Sequence, residues 1–190
     1  MKSRMTLVLA SAALFAMANT APAKEILGVG TPDAQQFRAK ASSSDAFEIL
    51  SSRIALTHAT DADLKAFAQM MIDDHTKSTD GLVALGAISK ASLETKMEPG
   101  ADGKYAANDL IDSGRANELN SLNLKSNDDF NKTYIADQVK GHEDAVSLLE
   151  DYAKNGDNEK LKEFAASILP TVKMHLAKAR TLQKSVEHSS

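Results

Sequence analysis

The chain has 190 residues, a formal net charge of −4 with neutral histidines, and no cysteine. An acidic balance argues against nucleic acid and anionic membrane surfaces as main partners, and the lack of cysteine excludes disulfides and a lipoprotein anchor. Because there is no tryptophan and only 5% of the residues are aromatic, the composition favours helices packed through aliphatic side chains over a β-sandwich.

Residues 1–23 have the pattern of a secretory signal peptide. Lys2 and Arg4 form a basic start, the stretch Met5–Met17 is mostly apolar, and Ala21-Pro22-Ala23 supplies the small residues of a cleavage site. The alternative is an uncleaved membrane anchor, but the apolar run is shorter than the roughly 20 residues that span a bilayer. We therefore expect cleavage after Ala23 and no transmembrane segment in the mature chain.

Cleavage leaves 167 residues (190 − 23), with 20 basic and 26 acidic side chains and a net charge of −6. That length corresponds to one domain with a sizeable core. We expect residues 24–30 to be a flexible leader and residues 31–187 to form the domain. The predicted destination of the mature protein is the periplasm or the medium.

Four long stretches carry apolar residues at spacings of three or four, which is the pattern of amphipathic helices. The predicted long helices run from Asp33 to His58, from Thr60 or Asp61 toward Lys90, from Asn127 to Lys154, and from Asp157 or Asn158 to Glu187. A shorter helix is predicted over Tyr105–Leu124, after a connection at residues 91–104, and Pro170 should kink the last helix. Short links predict two antiparallel hairpins joined by a long crossover. This is an all-α, ferritin-like four-helix bundle whose crossover carries an extra short helix.

Three histidines are the sharpest chemical signal. His75, His142 and His175 each fall on the apolar stripe of a different long helix, and Glu48 lies on the inner side of the remaining one. Three imidazoles and a carboxylate that converge inside a bundle would suit Zn, Fe or Cu. The sequence therefore predicts a transition-metal site at these four residues. The competing interpretation is that the histidines are structural and satisfied by neighbouring carbonyls or carboxylates.

Nearby residues supply alternatives. Counting 1.5 Å per residue from the connecting turns, Glu48 and His75 lie about 15 and 21 Å along their hairpin, and His142 and His175 about 20 and 27 Å along theirs. Asp45 is level with His75 and is the alternative ligand on the first helix. The other candidates for orienting or additional ligands are Asp74, Tyr134 and Glu143.

Two further patterns bear on the metal. The dinuclear carboxylate motif Glu-x-x-His is missing, because Ile72, Val139 and Val172 precede the three histidines by three residues, which argues against di-iron oxidation. Met71 and Met174 lie near His75 and His175. Thioether ligands would favour copper, whereas methionine on an apolar stripe is also ordinary core packing.

Four segments resemble a family of bacterial exported proteins. They are Phe47-Glu48-Ile49 with residues 51–56, LKAFAQMMIDDHTK, YIADQVKGHEDAV and LPTVKMHLAKAR, within a resemblance that covers about residues 36–182. That family is usually labelled a domain of unknown function or "predicted outer membrane protein" and is described as a ferritin-like helical bundle. The resemblance implies export and fold, and it implies no activity.

Two classes of function follow from the sequence. In the first, the protein binds a metal in its core and stores or buffers it, or carries out mild redox or peroxide chemistry. In the second, it is a non-catalytic envelope or stress protein with structural histidines and a protein partner. A third hypothesis is a histidine-based pH sensor. The sequence leaves the substrate, the partner and the oligomeric state open.

Overall fold

A computed structural model describes residues 30–90 and 96–188 of the chain. Within these ranges there is no strand, and five helices lie wholly inside them, which confirms the predicted all-α class. They are α1 (Ala34–His58), α2 (Ala62–Ala84), α3 (Ser113–Asn123), α4 (Asn127–Asn155) and α5 (Glu159–His188). The predicted signal peptide and residues 24–29 of the predicted leader lie outside the described residues.

Helix starts follow the capping chemistry of the sequence. Asp33 caps α1 by accepting a hydrogen bond from the Gln36 amide, and the Gln36 side chain accepts from the Asp33 amide in return. The order Thr31-Pro32-Asp33 favours the Thr31 hydroxyl as the cap from sequence alone, but this hydroxyl donates to Asp151 at 2.8 Å instead. Asp61 caps α2 by accepting hydrogen bonds from the backbone amides of Asp63 and Leu64.

Two helices are shorter than predicted. Helix α2 ends at Ala84 rather than near Lys90, and Gly86 follows with a φ of +67° that favours glycine. Helix α3 begins at Ser113 rather than Tyr105, so the prediction of a helix over residues 105–112 is wrong. The Asn108 side chain accepts hydrogen bonds from the amides of Leu110 and Ile111 and holds that segment in a turn.

The long helices contact one another in neighbouring pairs. Helix α1 packs on α2 and α4, helix α5 packs on α2 and α4, and the short α3 lies against α1 and α4. Among residues 30–90 and 96–188, no helix is long and apolar enough to cross a membrane. Pro170 lies inside α5, which continues through it, and the predicted kink there stays a prediction.

Two apolar clusters fill the interior, with polar side chains between them. Phe67, Phe130 and Leu182 belong to the larger cluster, while Phe37 and Tyr152 stack in the smaller one with ring centroids 3.9 Å apart. On α2, α4 and α5 alike, a histidine falls between the residues of one cluster and those of the other. We call the polar side chains between the clusters the polar layer: Asp45, Glu48, Ser51, Asp74, His75, Gln138, His142 and His175.

Candidate metal centre

Three imidazoles from separate helices meet in the polar layer. His75 on α2, His142 on α4 and His175 on α5 are at most 5% exposed, and their ring centroids lie 5.4 to 5.6 Å apart. Each offers one ligand atom, and these atoms lie within 4.8 Å of one another. The three side chains, hereafter the histidine cluster, could hold a metal ion.

One nitrogen of every ring in the cluster has a hydrogen-bond acceptor. His75 Nδ1 is 2.8 Å from Asp45 Oδ1, His142 Nδ1 is 2.8 Å from the Gln138 carbonyl oxygen, and His175 Nε2 is 3.1 Å from Asp74 Oδ2. Carboxylate and carbonyl oxygens accept, so these three nitrogens carry the proton and donate. The tautomer that follows leaves a lone pair on the opposite nitrogen of each ring.

Those opposite nitrogens have no partner. His75 Nε2, His142 Nε2 and His175 Nδ1 are buried and make no hydrogen bond. A histidine that ligates a metal commonly donates its other N–H to a carboxylate or a backbone carbonyl, which fixes the ring. All three rings of the histidine cluster show this pattern, because each has one nitrogen held by an acceptor and one nitrogen without a partner.

The size of the cluster is compatible with a single ion after a small contraction. Three points that are all within 4.8 Å of one another share a centre no more than about 2.8 Å from each (4.8 Å divided by √3). Zinc–imidazole bonds are about 2.0–2.1 Å long, so each ring nitrogen must move inward by at most about 0.8 Å.

The charges around the cluster act differently on the three rings. Burial works to lower the pKa of His75, but the hydrogen bond and charge of Asp45, with Glu48 and Asp74, raise it overall. Burial lowers the pKa of His142, and it lowers that of His175 to about 4 against the opposing effect of Asp74. The two rings with lowered pKa values are therefore uncharged at neutral pH and available as ligands, while a metal ion competes with a proton for His75 more than for the other two rings.

Glu48 is placed behind His142 rather than inside the cluster. It is 2% exposed, and its Oε1 lies 3.8 Å from His142 Nδ1, on the side of the ring that faces the Gln138 carbonyl. Gly141 makes room for it, because a Cβ there would lie 2.7 Å from Oε1. Its Oε2 is buried without a partner.

The structure separates the other predicted residues by role. Asp45 and Asp74 hold His75 and His175, and Asp45 Oδ2 also accepts from Thr79 at 3.3 Å. The Tyr134 hydroxyl pairs with Ser52 at 2.9 Å, and the Glu143 carboxylate pairs with Arg180 at 2.8 Å. The hydrogen bonds of these two groups thus go to residues outside the cluster.

The two methionines near the histidines in sequence, and the two remaining histidines, lie outside the cluster. Met71 is buried in the larger apolar cluster and Met174 is 49% exposed. His58 is half-buried, stacks on Phe130 and has its Nδ1 3.1 Å from the Lys125 carbonyl, so its position at a helix end does not make it a solvated side chain, as the sequence alone would suggest. His188 is exposed near the end of α5.

Sequence reasoning missed two features of this region. Gln138 donates to Ser51, whose hydroxyl donates to the Glu48 carbonyl, so the layer is linked across α1 and α4. The second feature is the close approach of Glu48 to the backbone of α4 at Gly141. Its signal in the sequence was Gly141 itself, because a glycine in the middle of a helix can have a packing reason.

Comparison with known proteins gives a family and no function. Neither the curated proteins nor the solved structures include a match to this chain. The family model described as "Domain of unknown function (DUF4142)" matches residues 19–182, which include the whole histidine cluster. The chain belongs to this family.

Proposed function

We propose that this protein binds one transition-metal ion through His75, His142 and His175. The observation that carries the proposal is the set of three buried ring nitrogens without partners, one on each of three rings that offer ligand atoms within 4.8 Å of one another, while the other nitrogen of each ring is held. A buried polar atom without a partner costs about 1–3 kcal/mol, so three in one layer would be a large penalty for an ion-free structural role. A metal ion satisfies all three at once.

Charge supports a cation at this place. Asp45 and Asp74 contact two of the rings, and buried Glu48 lies behind the third. Three carboxylates around a largely uncharged cluster favour a bound positive charge, because buried charges are stable only when paired. In this proposal Glu48 balances the charge of the metal from behind His142, while the three imidazoles coordinate it.

The metal is Zn, Fe or Cu, since imidazole binds all three. With three protein ligands the ion would be stored or buffered, or used for chemistry at a remaining coordination position. One ion held by three histidines differs from the dinuclear carboxylate sites of ferritin-like proteins, in agreement with the missing Glu-x-x-His motif.

The proposal places this site in an exported, ferritin-like four-helix bundle. The pairwise contacts of α1, α2, α4 and α5, with α3 in the connection between the two hairpins, support that architecture. Export is supported by the signal-peptide pattern of residues 1–23. Sequencing the amino terminus of the mature protein tests it, and we expect Lys24 to be the first residue.

Metal analysis of protein purified without an affinity tag tests the binding proposal. We expect about one ion per chain after equilibration with Zn²⁺, Fe²⁺ or Cu²⁺, and loss of that ion in the double variant His142→Ala, His175→Ala. The matched control is His58→Ala, His188→Ala, which removes two histidines outside the cluster and should keep the ion. Metal-free wild-type protein whose melting does not respond to any of the three ions would instead support structural histidines.

A further inference from the structure

A cleft between α2 and α5 reaches the histidine cluster from one side. It has a volume of about 170 Å³, and His75 and His175 form part of its wall together with Asp74, Lys77 and Thr171. His142 is fully buried and is not part of this wall. The cleft therefore borders two of the three proposed ligand residues, whose unpartnered nitrogens lie buried behind its wall.

The opposite side of the polar layer is built differently. A second cleft, of about 300 Å³, is lined by Glu48 and Gly141 on the α1–α4 side. Among the described residues that line it, none belongs to the histidine cluster. Of these two clefts, only the α2–α5 cleft borders residues of the histidine cluster.

Three protein ligands leave a tetrahedral ion with one vacant coordination position, and sites of this kind keep that position for water or substrate. We infer that the metal bound here keeps its fourth position open to the α2–α5 cleft, and that a small monovalent anion binds there. This inference rests on the proposed metal site and adds the class of ligand that the site accepts.

The charges on the cleft side select an anion. Asp74 and Lys77 both line the cleft and pair with each other, with Lys77 Nζ 2.9 Å from Asp74 Oδ1, so their charges offset one another. Asp45 and Glu48 do not line the cleft. The lining therefore leaves the positive charge of a bound divalent ion without a counter-charge on the cleft side, and a monovalent anion is attracted to it.

The lining of the cleft sets the size and shape of the ligand. A volume of about 170 Å³ corresponds to about five or six water molecules, so the anion has only a few non-hydrogen atoms. The hydroxyl groups of Ser78 and Thr171 can donate to an anion, whereas that of Ser167 donates to the Phe164 carbonyl at 2.7 Å, and Ile168 and Val172 form an apolar wall. A short carboxylate or a linear triatomic anion fits this combination.

Azide binding to the cobalt-loaded protein tests the inference. Co²⁺ replaces the metal and gives visible absorption bands that change when a fourth ligand exchanges. We expect azide to change the spectrum of the wild-type protein saturably, with one anion per chain. Thr171→Phe fills the cleft and should weaken azide binding at least tenfold while cobalt stays bound, which is measured separately for each variant.

Thr181→Phe is the matched control, because Thr181 is an exposed threonine on the same helix outside the cleft, and we expect it to behave like the wild type. If Thr171→Phe fails to fold, Ser78→Phe blocks the cleft from α2 and is interpreted in the same way. Cobalt that binds without any response to azide, or a blocked cleft that still binds azide with wild-type affinity, overturns the inference and leaves the metal site standing. Failure of the wild type to bind cobalt overturns the proposed function itself.

Discussion

The polar layer and the two apolar clusters that flank it are built on the same helices but meet opposite physical requirements. In the larger cluster Phe67, Leu64 and Leu119 are fully buried, and such side chains are satisfied by packing alone. In the layer, five buried polar atoms have no partner: Glu48 Oε2, His75 Nε2, Gln138 Oε1, His142 Nε2 and His175 Nδ1. The clusters account for stability, whereas the layer contains polar atoms that a bound ligand could satisfy.

This difference indicates which part of the fold serves function rather than stability. Apolar side chains at the three histidine positions would continue the packing of the two clusters. The polar atoms in their place lower stability and offer coordination, as expected of a functional site in a stable scaffold. The predictions below test this contrast from the largest expected effect to the smallest.

Truncation in an apolar cluster should be the most damaging change. Phe67→Ala removes a fully buried ring that packs edge-to-face on Tyr134, and we expect the free energy of unfolding to fall by about 3–5 kcal/mol. Urea unfolding measures this. His142→Leu, which removes an unpartnered nitrogen from the layer, should change the metal-free value by less than about 1 kcal/mol or raise it. A large loss in the metal-free His142→Leu protein would show that the layer stabilises the fold by itself.

The carboxylates that hold the rings should tune metal affinity. Asp45→Asn and Asp74→Asn weaken the hydrogen bonds to His75 and His175, and we expect the affinity for Zn²⁺ to fall about 10- to 100-fold for each. Competition with a chromophoric chelator measures the change. Glu143→Gln, which alters only the carboxylate paired with Arg180, is the control and should retain wild-type affinity. Equal affinities in the wild type and all three variants would show that Asp45 and Asp74 do not orient the ligands.

Acid should weaken metal binding. The pKa of His75 is raised above its ordinary value of 6.5 in the metal-free protein. As the pH falls, the ring therefore takes up a proton, and a metal ion must displace this proton in order to bind. We expect the apparent affinity to decrease by up to about tenfold per pH unit between pH 7.5 and 5.5. Asp45→Asn should move this decrease to lower pH, because Asp45 raises the pKa of His75. An affinity that is constant across this interval would exclude His75 as a ligand.

The smallest expected effect concerns Asp137, outside the layer. Burial, with the charges of Glu118 and Glu48, raises the pKa of Asp137 to about 6 from 3.8. The folded state thus binds this proton more tightly than the unfolded state, so the ionised side chain lowers stability above pH 6, and the loss disappears toward pH 4. Asp137→Asn should raise the free energy of unfolding at pH 7.5 by about 1 kcal/mol, less than the full shift because the side chain is partly exposed. Asp144→Asn, at an exposed carboxylate paired with Lys140, is the control for a gain that merely reflects lower net charge.

The long helices could be predicted because their apolar period persists over many turns. The start near Asp33 and the start at Thr60 or Asp61 were also predicted within a residue or two, and the caps are Asp33 and Asp61. The segment at residues 105–112 was predicted wrongly as helix because Asn108 turns the backbone through its side chain, a competition that apolar spacing does not report. Local hydrogen bonding therefore decided the elements where periodicity was weak.

The site could be predicted only in part. The stripes identified His75, His142 and His175, but counting residues along straight axes put the two site residues of each hairpin out of level by about one turn. The structure brings one ligand atom of each ring within 4.8 Å of the other two. This depends on helix packing and on the reach of the side chains, which a count of Cα positions omits. The roles of Asp45 and Glu48 depend on side-chain direction, so the sequence left them as alternatives for one position.

X-ray absorption at the zinc edge of the zinc-loaded, tag-free protein tests the central claim most directly. The account predicts three imidazole nitrogens at about 2.0–2.1 Å and one further light atom around a single ion. A shell of oxygen atoms alone, a sulfur scatterer from methionine, or a shell with fewer than three imidazoles would contradict it.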